Sequence, residues 1–249
     1  MKKTFLLSYL MLAAMPVMAA YTGHVYVDKN KNGVFDQSEK PLAGIKVSDG
    51  LNVVETAADG SFTLPGHERE RFIFITTPSG YKTFNRHYHK IEKKQSGYDF
   101  GLIPYSGRIR KDGSHRYIHI ADTEIFNTEN HADWVNNVRD YARNEQAAFI
   151  IHTGDICYEK GLKAHIKLMN TENMDCPVFY CIGNHDLVKG KYGEELFESI
   201  YGPVYYSFDA GNVHYVVTPM PGGDHAPGYT SDDVCRWLKN DLAHIRPGT

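Results

Sequence analysis

The sequence of 249 residues is poor in cysteine, lacks a basic run and, beyond its first twenty residues, lacks any long apolar stretch. Lys and Arg number 27 against 30 Asp and Glu, which gives a formal net charge of -3. That balance argues against a nucleic-acid partner held through its phosphates. The lack of a later apolar stretch argues against a membrane span. With 42% hydrophobic and 23% charged residues, the composition is that of a globular protein.

The first twenty residues have the pattern of a secretory signal peptide. Two lysines precede an apolar stretch over residues 5–17, and the small residues Ala19 and Ala20 follow. The apolar stretch is short for a membrane span. We therefore expect residues 1–20 to be cleaved and the mature protein to be periplasmic or extracellular.

Export would permit disulfide bonds among the four cysteines. Four cysteines allow three pairings, and the sequence does not choose among them. Buried free thiols are an equally consistent interpretation. The residues concerned are Cys157, Cys176, Cys181 and Cys235.

The spacing of turn signals predicts two domains. Between residues 21 and 105, short runs rich in Val, Ile, Phe and Thr are separated by turn pairs such as Asp49-Gly50 and Asp59-Gly60. This pattern predicts a small all-β sandwich. A polar stretch that contains glycine then marks the boundary, and we assign residues 106–249 to the second domain.

The second domain alternates strands with helices, which makes the overall fold class α/β. Such alternation predicts a parallel or mixed sheet with helical crossovers. In the first helix, Trp134, Val138 and Tyr141 recur at helical spacing, and we expect them to form the buried face. The predicted strands are 117–121, 147–151 and 178–182, and the predicted helices are 128–146, 159–170 and 231–243.

Residues 28–39 match the spacing of a calcium-binding loop, D-x-N-x-N-G-x5-E. Gly33 allows the sharp turn that such a loop needs, and Ca2+ prefers hard oxygen ligands. The alternative is a polar turn that needs no ion. The predicted Ca2+ ligands are Asp28, Asn30, Asn32, Asp36 and Glu39.

Polar side chains follow the three predicted strands of the second domain. Asp122 follows the first strand, Asp155 comes after the second behind Gly154, and Asn184 comes after the third behind Gly183. Because the carboxyl ends of parallel strands share one edge, we expect these side chains to converge. Converging carboxylates repel unless a cation lies among them. The sequence therefore predicts a site for a hard or borderline divalent metal.

These motifs resemble those of calcineurin-like metallophosphoesterases. The resemblance rests on Gly154-Asp155, on Gly183-Asn184-His185-Asp186 and on the preceding Asp122, and it covers roughly residues 115–245. It implies that the second domain is the N-terminal part of a calcineurin-like phosphoesterase domain. The first domain resembles calcium-binding prealbumin-like repeats of bacterial surface proteins and the N-terminal module of some secreted bacterial metallophosphoesterases.

The resemblance implies the metal ligands. Asp122 would bind a first metal, Asp155 would bridge two metals, and Asn184 would bind the second. Glu124 stands where the family usually has histidine, and it would add a further oxygen to the first metal or else point away and leave that position to water. The two divalent ions would be Mn, Fe, Zn or Mg, and an oxygen-rich site favours Mn2+ or Mg2+.

The resemblance also implies the catalytic residues and the reaction. His185 would protonate the leaving oxygen or stabilise charge, and Asp186 would orient its imidazole. A hydroxide held by the two metals would attack the phosphorus of a small phosphate-ester substrate. The protein would then be an exported metallophosphoesterase, a hydrolase that acts on ester bonds.

One further departure from the family pattern leaves a second function open. A Gly-His-x-His motif, which completes the metal site in the family, does not follow within the 249 residues, and we expect the chain to be truncated at its C-terminus. The alternative is a catalytically dead, calcium-stabilised, exported binding or scaffold protein.

Overall fold

The computed structural model describes residues 21–95, 97–105, 108–246 and 249. The predicted signal peptide, residues 1–20, lies outside the described residues. The described chain is a mixed α/β structure in which a strand-rich N-terminal region precedes alternating strands and helices. This architecture confirms the predicted fold class.

The N-terminal strands are β1 (Tyr21–Val27), β2 (Lys40–Pro41), β3 (Lys46–Ser48), β4 (Val53–Glu55), β5 (Ser61–Leu64), β6 (Phe72–Ile75), β7 (Tyr81–Thr83), β8 (Tyr88–Lys90) and β9 (Phe100–Pro104). They form two sheets. One has the order β2-β1-β9-β7, with β5 also paired to β1, and the other has the order β4-β3-β6-β8.

The two N-terminal sheets share one apolar core. Val25 and Leu102 from the first sheet meet Val47 and Ile75 from the second, and all four side chains are completely buried. In β5, burial alternates along the strand, as expected where one face of a sheet covers a core and the other faces water. The packing is that of a small sandwich.

The remaining elements are β10 (Tyr117–Ile120), α1 (Ala132–Asn144), β11 (Phe149–His152), α2 (Tyr158–Leu168), β12 (Val178–Tyr180), a 3-10 turn (Asn184–Asp186), α3 (Glu195–Tyr201), β13 (Tyr206–Ala210), β14 (Val213–Val217) and α4 (Ser231–Leu242). Strands β10, β11 and β12 form a parallel sheet in that order, and β13 and β14 form an antiparallel hairpin. All three parallel strands therefore end at one edge of their sheet, where ligands bind in open α/β folds.

Helix α1 buries a different face from the predicted one. Val135 and Ala142 are buried and Val138 is half-buried, whereas Trp134 and Tyr141 are 39% and 59% exposed. Positions 135, 138 and 142 also follow the helical period. The sequence was therefore consistent with either of two adjacent faces of α1 being buried. The face that carries Val135, Val138 and Ala142 packs in the apolar cluster that contains Ile150 of β11. The prediction was therefore wrong for Trp134 and Tyr141.

An apolar cluster joins the two regions of the molecule. Phe72 and Phe74 of β6 pack with Phe149 of β11, Phe208 of β13 and Trp237 of α4. All five side chains are at most 5% exposed. The N-terminal sandwich is therefore packed directly against the second region rather than tethered to it.

A charged network lies at the same junction. The His214 ring lies between two carboxylates, with its Nδ1 2.6 Å from Asp209 and its Nε2 2.7 Å from Asp241. Lys46 of the N-terminal region pairs with Asp209 at 3.3 Å. Burial disfavours the charged ring, but the hydrogen bonds and charges of the two carboxylates outweigh it and raise the pKa of His214 to about 9.

The four cysteines are free thiols, of which Cys157 and Cys176 are buried and Cys235 is exposed. The structure therefore shows free thiols, and the expected burial holds for Cys157 and Cys176 but not for Cys235. Within the described ranges, there is no helix with the length and apolar character needed to cross a bilayer.

Candidate active site

The loops that follow β10, β11 and β12 lie side by side at the carboxyl edge of the parallel sheet. The Asp122 amide donates a hydrogen bond to the carbonyl of Gly154 at 3.1 Å. The His185 amide donates to Oδ1 of Asp155 at 3.1 Å. These two bonds connect the three loops that carry Asp122, Asp155 and Asn184, the first between two backbones and the second from a backbone amide to a carboxylate.

Two glycines allow the second and third loops to approach each other. A Cβ at Gly154 would lie 2.4 Å from the nitrogen of Gly183, and one at Gly183 would lie 2.2 Å from both the nitrogen and Oδ1 of Asp155. Contacts of this length do not occur for real side chains, so both positions require glycine. Because glycine has no side chain, the Asp155 carboxylate can lie directly beside the third strand.

Backbone strain is concentrated at this edge. Within the described ranges, eight residues other than glycine have a positive φ, and five of them belong to the first two loops. Such conformations are costly for residues with a Cβ, and they cluster at functional sites. The five residues are Asp122, Glu124, Asp155, Cys157 and Tyr158.

A buried histidine supports the first two loops. The Gly154 amide donates to Nδ1 of His152 at 3.2 Å, so the ring proton lies on Nε2, which donates to the Thr123 hydroxyl at 2.9 Å. Burial lowers the pKa of His152 to about 4, and the nearby His119 acts in the same direction. The ring is therefore neutral and fixes the residue between Asp122 and Glu124. His152 was not among the residues predicted from the sequence. Its position at the end of β11, at the same sheet edge as the predicted site, could have indicated it.

The imidazole of His185 is held by a residue that sequence reasoning also missed. Its Nδ1 lies 2.9 Å from Oδ2 of Asp224. The carboxylate of Asp186 instead accepts the amides of Gly183 at 2.9 Å and Cys157 at 2.8 Å. The orienting role expected of Asp186 is thus corrected, because its buried oxygens join two backbone loops and Asp224 contacts the ring.

Electrostatics at His185 follow from these contacts. The hydrogen bond to Asp224 raises the pKa of the ring, burial opposes the rise, and the charges of Asp224, Asp155 and Asp186 add to it. The Tyr158 ring lies 5.6 Å from the imidazole. His185 therefore stands in an acidic environment and lies between the second loop and Asp224.

Glu124 lies beside the thiol of Cys157. Burial raises the pKa of that thiol to about 12, and the charges of Glu124, Asp186 and Asp155 contribute to the rise. Asp122, Glu124 and Asp155 do not form a set with ligand atoms all within 4.8 Å of one another. Whether Glu124 adds an oxygen to the first metal or points away stays a prediction.

Among the described His, Cys, Asp and Glu side chains, one set of three could hold a metal by distance, and it lies elsewhere. It consists of Asp49, His67 and Glu70 in the N-terminal region. Its carboxylates already have partners, since Asp49 accepts from the amides of Leu51 and Asn52 and Glu70 accepts from the hydroxyl of Tyr21 and the amide of His67. These hydrogen bonds account for the proximity of the three side chains without a metal ion.

The predicted calcium loop is closed by its own side chains. Asp28 is buried and accepts the amides of Asn32 at 3.2 Å and Gly33 at 2.9 Å. Oδ2 of Asp36 accepts from the side-chain amides of Asn30 at 2.7 Å and Asn32 at 3.1 Å. All these oxygens belong to residues at the predicted ligand positions.

The fifth predicted calcium ligand, Glu39, is also buried. It accepts the amides of Lys29 at 2.8 Å and Asp36 at 3.2 Å. Its two oxygens thereby join the beginning of the loop to its end, and Ca2+ binding by the loop stays a prediction.

Two family models match the chain. Residues 29–104 match the model described as the N terminal of calcineurin-like phosphoesterase, and residues 115–240, just over half of the chain, match the calcineurin-like phosphoesterase model itself. The chain belongs to the calcineurin-like phosphoesterase family. A search of curated proteins found no match. The matched domain is that of a metal-dependent hydrolase of phosphate esters.

The second match spans the carboxyl edge of the parallel sheet. It contains β10 to β14 and therefore the loops of Asp122, Asp155 and Asn184. It also contains Asp224, whose loop is rich in Gly and Pro and gave no periodic signal in the sequence. The family motifs of the phosphoesterase thus lie at the edge that its strand order makes available to a ligand.

Proposed function

We propose that this protein is an exported phosphoesterase that hydrolyses a small phosphate ester with two divalent cations, whose ligands include Asp122, Asp155 and Asn184. The single observation that carries the proposal is the joining of three strand-end loops at one sheet edge. The bonds from the Asp122 amide to the Gly154 carbonyl and from the His185 amide to Oδ1 of Asp155 support this, because they connect the three loops.

The side chains at this edge fit divalent cations. Two carboxylates and one amide supply the hard oxygens that Mn2+ and Mg2+ prefer. Oδ1 of Asp155 accepts the His185 amide, which leaves Oδ2 for a ligand. Gly183 keeps the space beside this carboxylate open, because a Cβ there would lie 2.2 Å from Oδ1. Bound cations would polarise the phosphoryl oxygens as Lewis acids.

His185 is the proposed proton donor. Its Nδ1 is engaged by Asp224, so Nε2 would hold the proton that the leaving oxygen takes. The neighbouring carboxylates favour the protonated ring, which is the state that such a donor needs. Asp186 acts through the backbone, since it fixes the turn that carries Asn184 and His185.

The test is hydrolysis of p-nitrophenyl phosphate and bis(p-nitrophenyl) phosphate by the full-length protein with Mn2+, Fe2+, Zn2+ or Mg2+. We expect turnover that depends on the added metal and falls at least about 100-fold in Asp155→Asn. Asp140→Asn is the matched control, because Asp140 is a 55% exposed carboxylate on α1. Equal turnover by wild type and Asp155→Asn, or no turnover with any of the four metals, contradicts the proposal.

Export is the part of the proposal that rests on residues 1–20. The two N-terminal lysines, the apolar stretch and Ala19-Ala20 support a cleaved signal peptide. Mass spectrometry of the protein isolated from its native cells tests this. We expect a mature chain that begins near Tyr21 in the periplasmic or extracellular fraction, whereas an intact N-terminus in the cytoplasmic fraction contradicts it.

A Ca2+ ion in the loop of residues 28–39 is a further part of the proposal. The D-x-N-x-N-G-x5-E spacing and the burial of Asp28 and Glu39 support it. Because a ligand that binds only the folded state stabilises it, EGTA should lower the melting temperature by several degrees and added Ca2+ should restore it. Asp36→Asn should remove this response, and a wild-type melting temperature unaffected by EGTA contradicts the site.

A further inference from the structure

The segment of residues 219–230, here called the covering loop, lies directly on the turn that carries His185. The Asp224 amide donates to the carbonyl of Asn184 at 3.1 Å. A Cβ at Gly223 would lie 2.3 Å from that same carbonyl oxygen. The backbone contact is therefore close, and it brings the Asp224 carboxylate to the His185 ring.

Asp224 is the carboxylate available to orient the ring. Asp186 is buried, and its two oxygens accept the amides of Gly183 and Cys157. Asp224 and His185 are 38% and 39% exposed, and Oδ2 lies 2.9 Å from Nδ1. An exposed pair of this kind contributes little to stability, so its geometry must be maintained by whatever fixes the covering loop.

The covering loop is fixed at Gly228 by charged side chains. The Gly228 amide donates to both carboxylate oxygens of Glu194, at 3.1 and 2.9 Å. Its carbonyl accepts from Nη2 of Arg69 at 2.8 Å. The amide and the carbonyl of Gly228 are therefore both hydrogen-bonded. The amide bonds to Glu194 of the second region, and the carbonyl bonds to Arg69 of the N-terminal region.

Both anchors depend on the N-terminal sandwich. Arg69 and Arg71 lie between β5 and β6, in the region that matches the N-terminal family model. Arg71 pairs with the buried Glu194 at 3.0 Å and lies 4.6 Å from the centre of the Tyr192 ring. Arg69 also pairs with Asp233, in the first turn of α4, at 2.9 Å.

We propose that the N-terminal domain is a working part of the phosphoesterase site, in which Arg69 and Arg71 fix Gly228 and thereby hold Asp224 as the positioning residue for His185. This inference rests on the proposed function. It assigns the N-terminal domain a role in catalysis in addition to its apolar contact with the second region. Asp224 acts through the ring of His185, and the arginines act through the covering loop.

The first test compares Asp224→Ala and Asp224→Glu in the full-length protein with Mn2+ and p-nitrophenyl phosphate. We expect kcat to fall about 10- to 100-fold in Asp224→Ala, as for other residues that orient a ligand or catalytic group, with little change in KM. Asp224→Glu should recover part of the loss. Wild-type kcat in Asp224→Ala overturns the positioning role.

The second test addresses the anchor with Arg69→Gln, because removing Arg71 would leave Glu194 buried without its partner and could unfold the chain. Amide hydrogen exchange should rise over residues 219–230 and stay unchanged in the parallel sheet, and kcat should fall about 2- to 30-fold. Arg116→Gln is the matched control, since Arg116 is also a half-exposed arginine paired with a carboxylate. Unchanged exchange over residues 219–230 overturns the anchor.

A readout without turnover separates this inference from the proposed function. Nitrogen-15 NMR of the His185 ring should show a changed Nδ1 signal in Asp224→Ala and in Arg69→Gln, but not in Arg116→Gln. If the wild type hydrolyses neither ester, the proposed function fails, and the NMR and exchange data still decide whether the N-terminal domain fixes the ring. An unchanged Nδ1 signal in both variants overturns the inference even in an active enzyme.

Discussion

Gly183 packs against Asp155 so closely that a Cβ at residue 183 would lie 2.2 Å from Oδ1 of the carboxylate. The contact joins the ends of β11 and β12, and it leaves the Asp155 carboxylate beside the turn of Asn184 and His185. The position of the central acidic residue thus depends on the absence of a neighbouring side chain.

Gly183→Ala should displace Asp155 and destabilise the fold. Overpacking of this kind costs about 1–3 kcal/mol, because the added Cβ meets backbone that cannot rotate away. Denaturant unfolding measures the loss, and Mn2+ titration should show weaker binding. Gly222→Ala is the control, since a Cβ at Gly222 has no neighbour within 4 Å. Equal stability of the two variants would speak against the tight contact.

His185→Asn should lower kcat by about 10²- to 10⁴-fold, the usual contribution of a general acid. Its affinity for Mn2+ should stay close to that of wild type, because the proposed ligands are other residues. Steady-state kinetics and metal titration check the two expectations separately. His225→Asn provides the control, as His225 is an exposed histidine next to Asp224. If kcat fell equally in both variants, the assignment of His185 as the proton donor would be contradicted.

His214 should make stability depend on pH. Its folded pKa of about 9 lies above the unfolded value of 6.5, so its stabilising contribution is complete below pH 6.5 and is lost as the pH rises through 9. The contribution is roughly 3 kcal/mol at most. The free energy of unfolding should therefore fall more steeply between pH 6 and pH 10 in wild type than in His214→Gln.

The control for this pH dependence is His244→Gln, because His244 is also paired with a carboxylate, Glu55 at 3.1 Å, but is more exposed. The fall in unfolding free energy between pH 6 and pH 10 should be smaller in His214→Gln than in His244→Gln, because His214 lies between two carboxylates. Parallel pH curves for wild type and His214→Gln would show that the carboxylates do not hold a proton on His214.

The acidic and amide residues at the site could be predicted because strand order alone decides where they lie. Asp122, Asp155 and Asn184 each follow a short apolar strand, and parallel pairing brings the ends of such strands to one edge. The start of α4 also depends on neighbouring residues alone, since the Thr230 hydroxyl accepts the Asp233 amide. These features depend on local order and need no knowledge of distant packing.

The partners of the catalytic residues could not be predicted in this way. Asp224 lies 39 positions after His185 in a loop without periodicity, so no local pattern connects the two. Asp186 is adjacent to His185 in sequence, but its side chain turns toward the amide of Cys157 in another loop. The buried face of α1 was ambiguous for a similar reason, because Val135 and Trp134 are neighbours and only the sheet decides between them.

The most direct test of the account is the binding of Mn2+ to the full-length protein, measured by isothermal titration calorimetry. We predict that Asp155→Asn binds Mn2+ at least about 10-fold more weakly than wild type, while the exposed-carboxylate variant Asp140→Asn binds as wild type does. Wild-type affinity in Asp155→Asn would contradict the central claim that the edge formed by Asp122, Asp155 and Asn184 holds divalent cations.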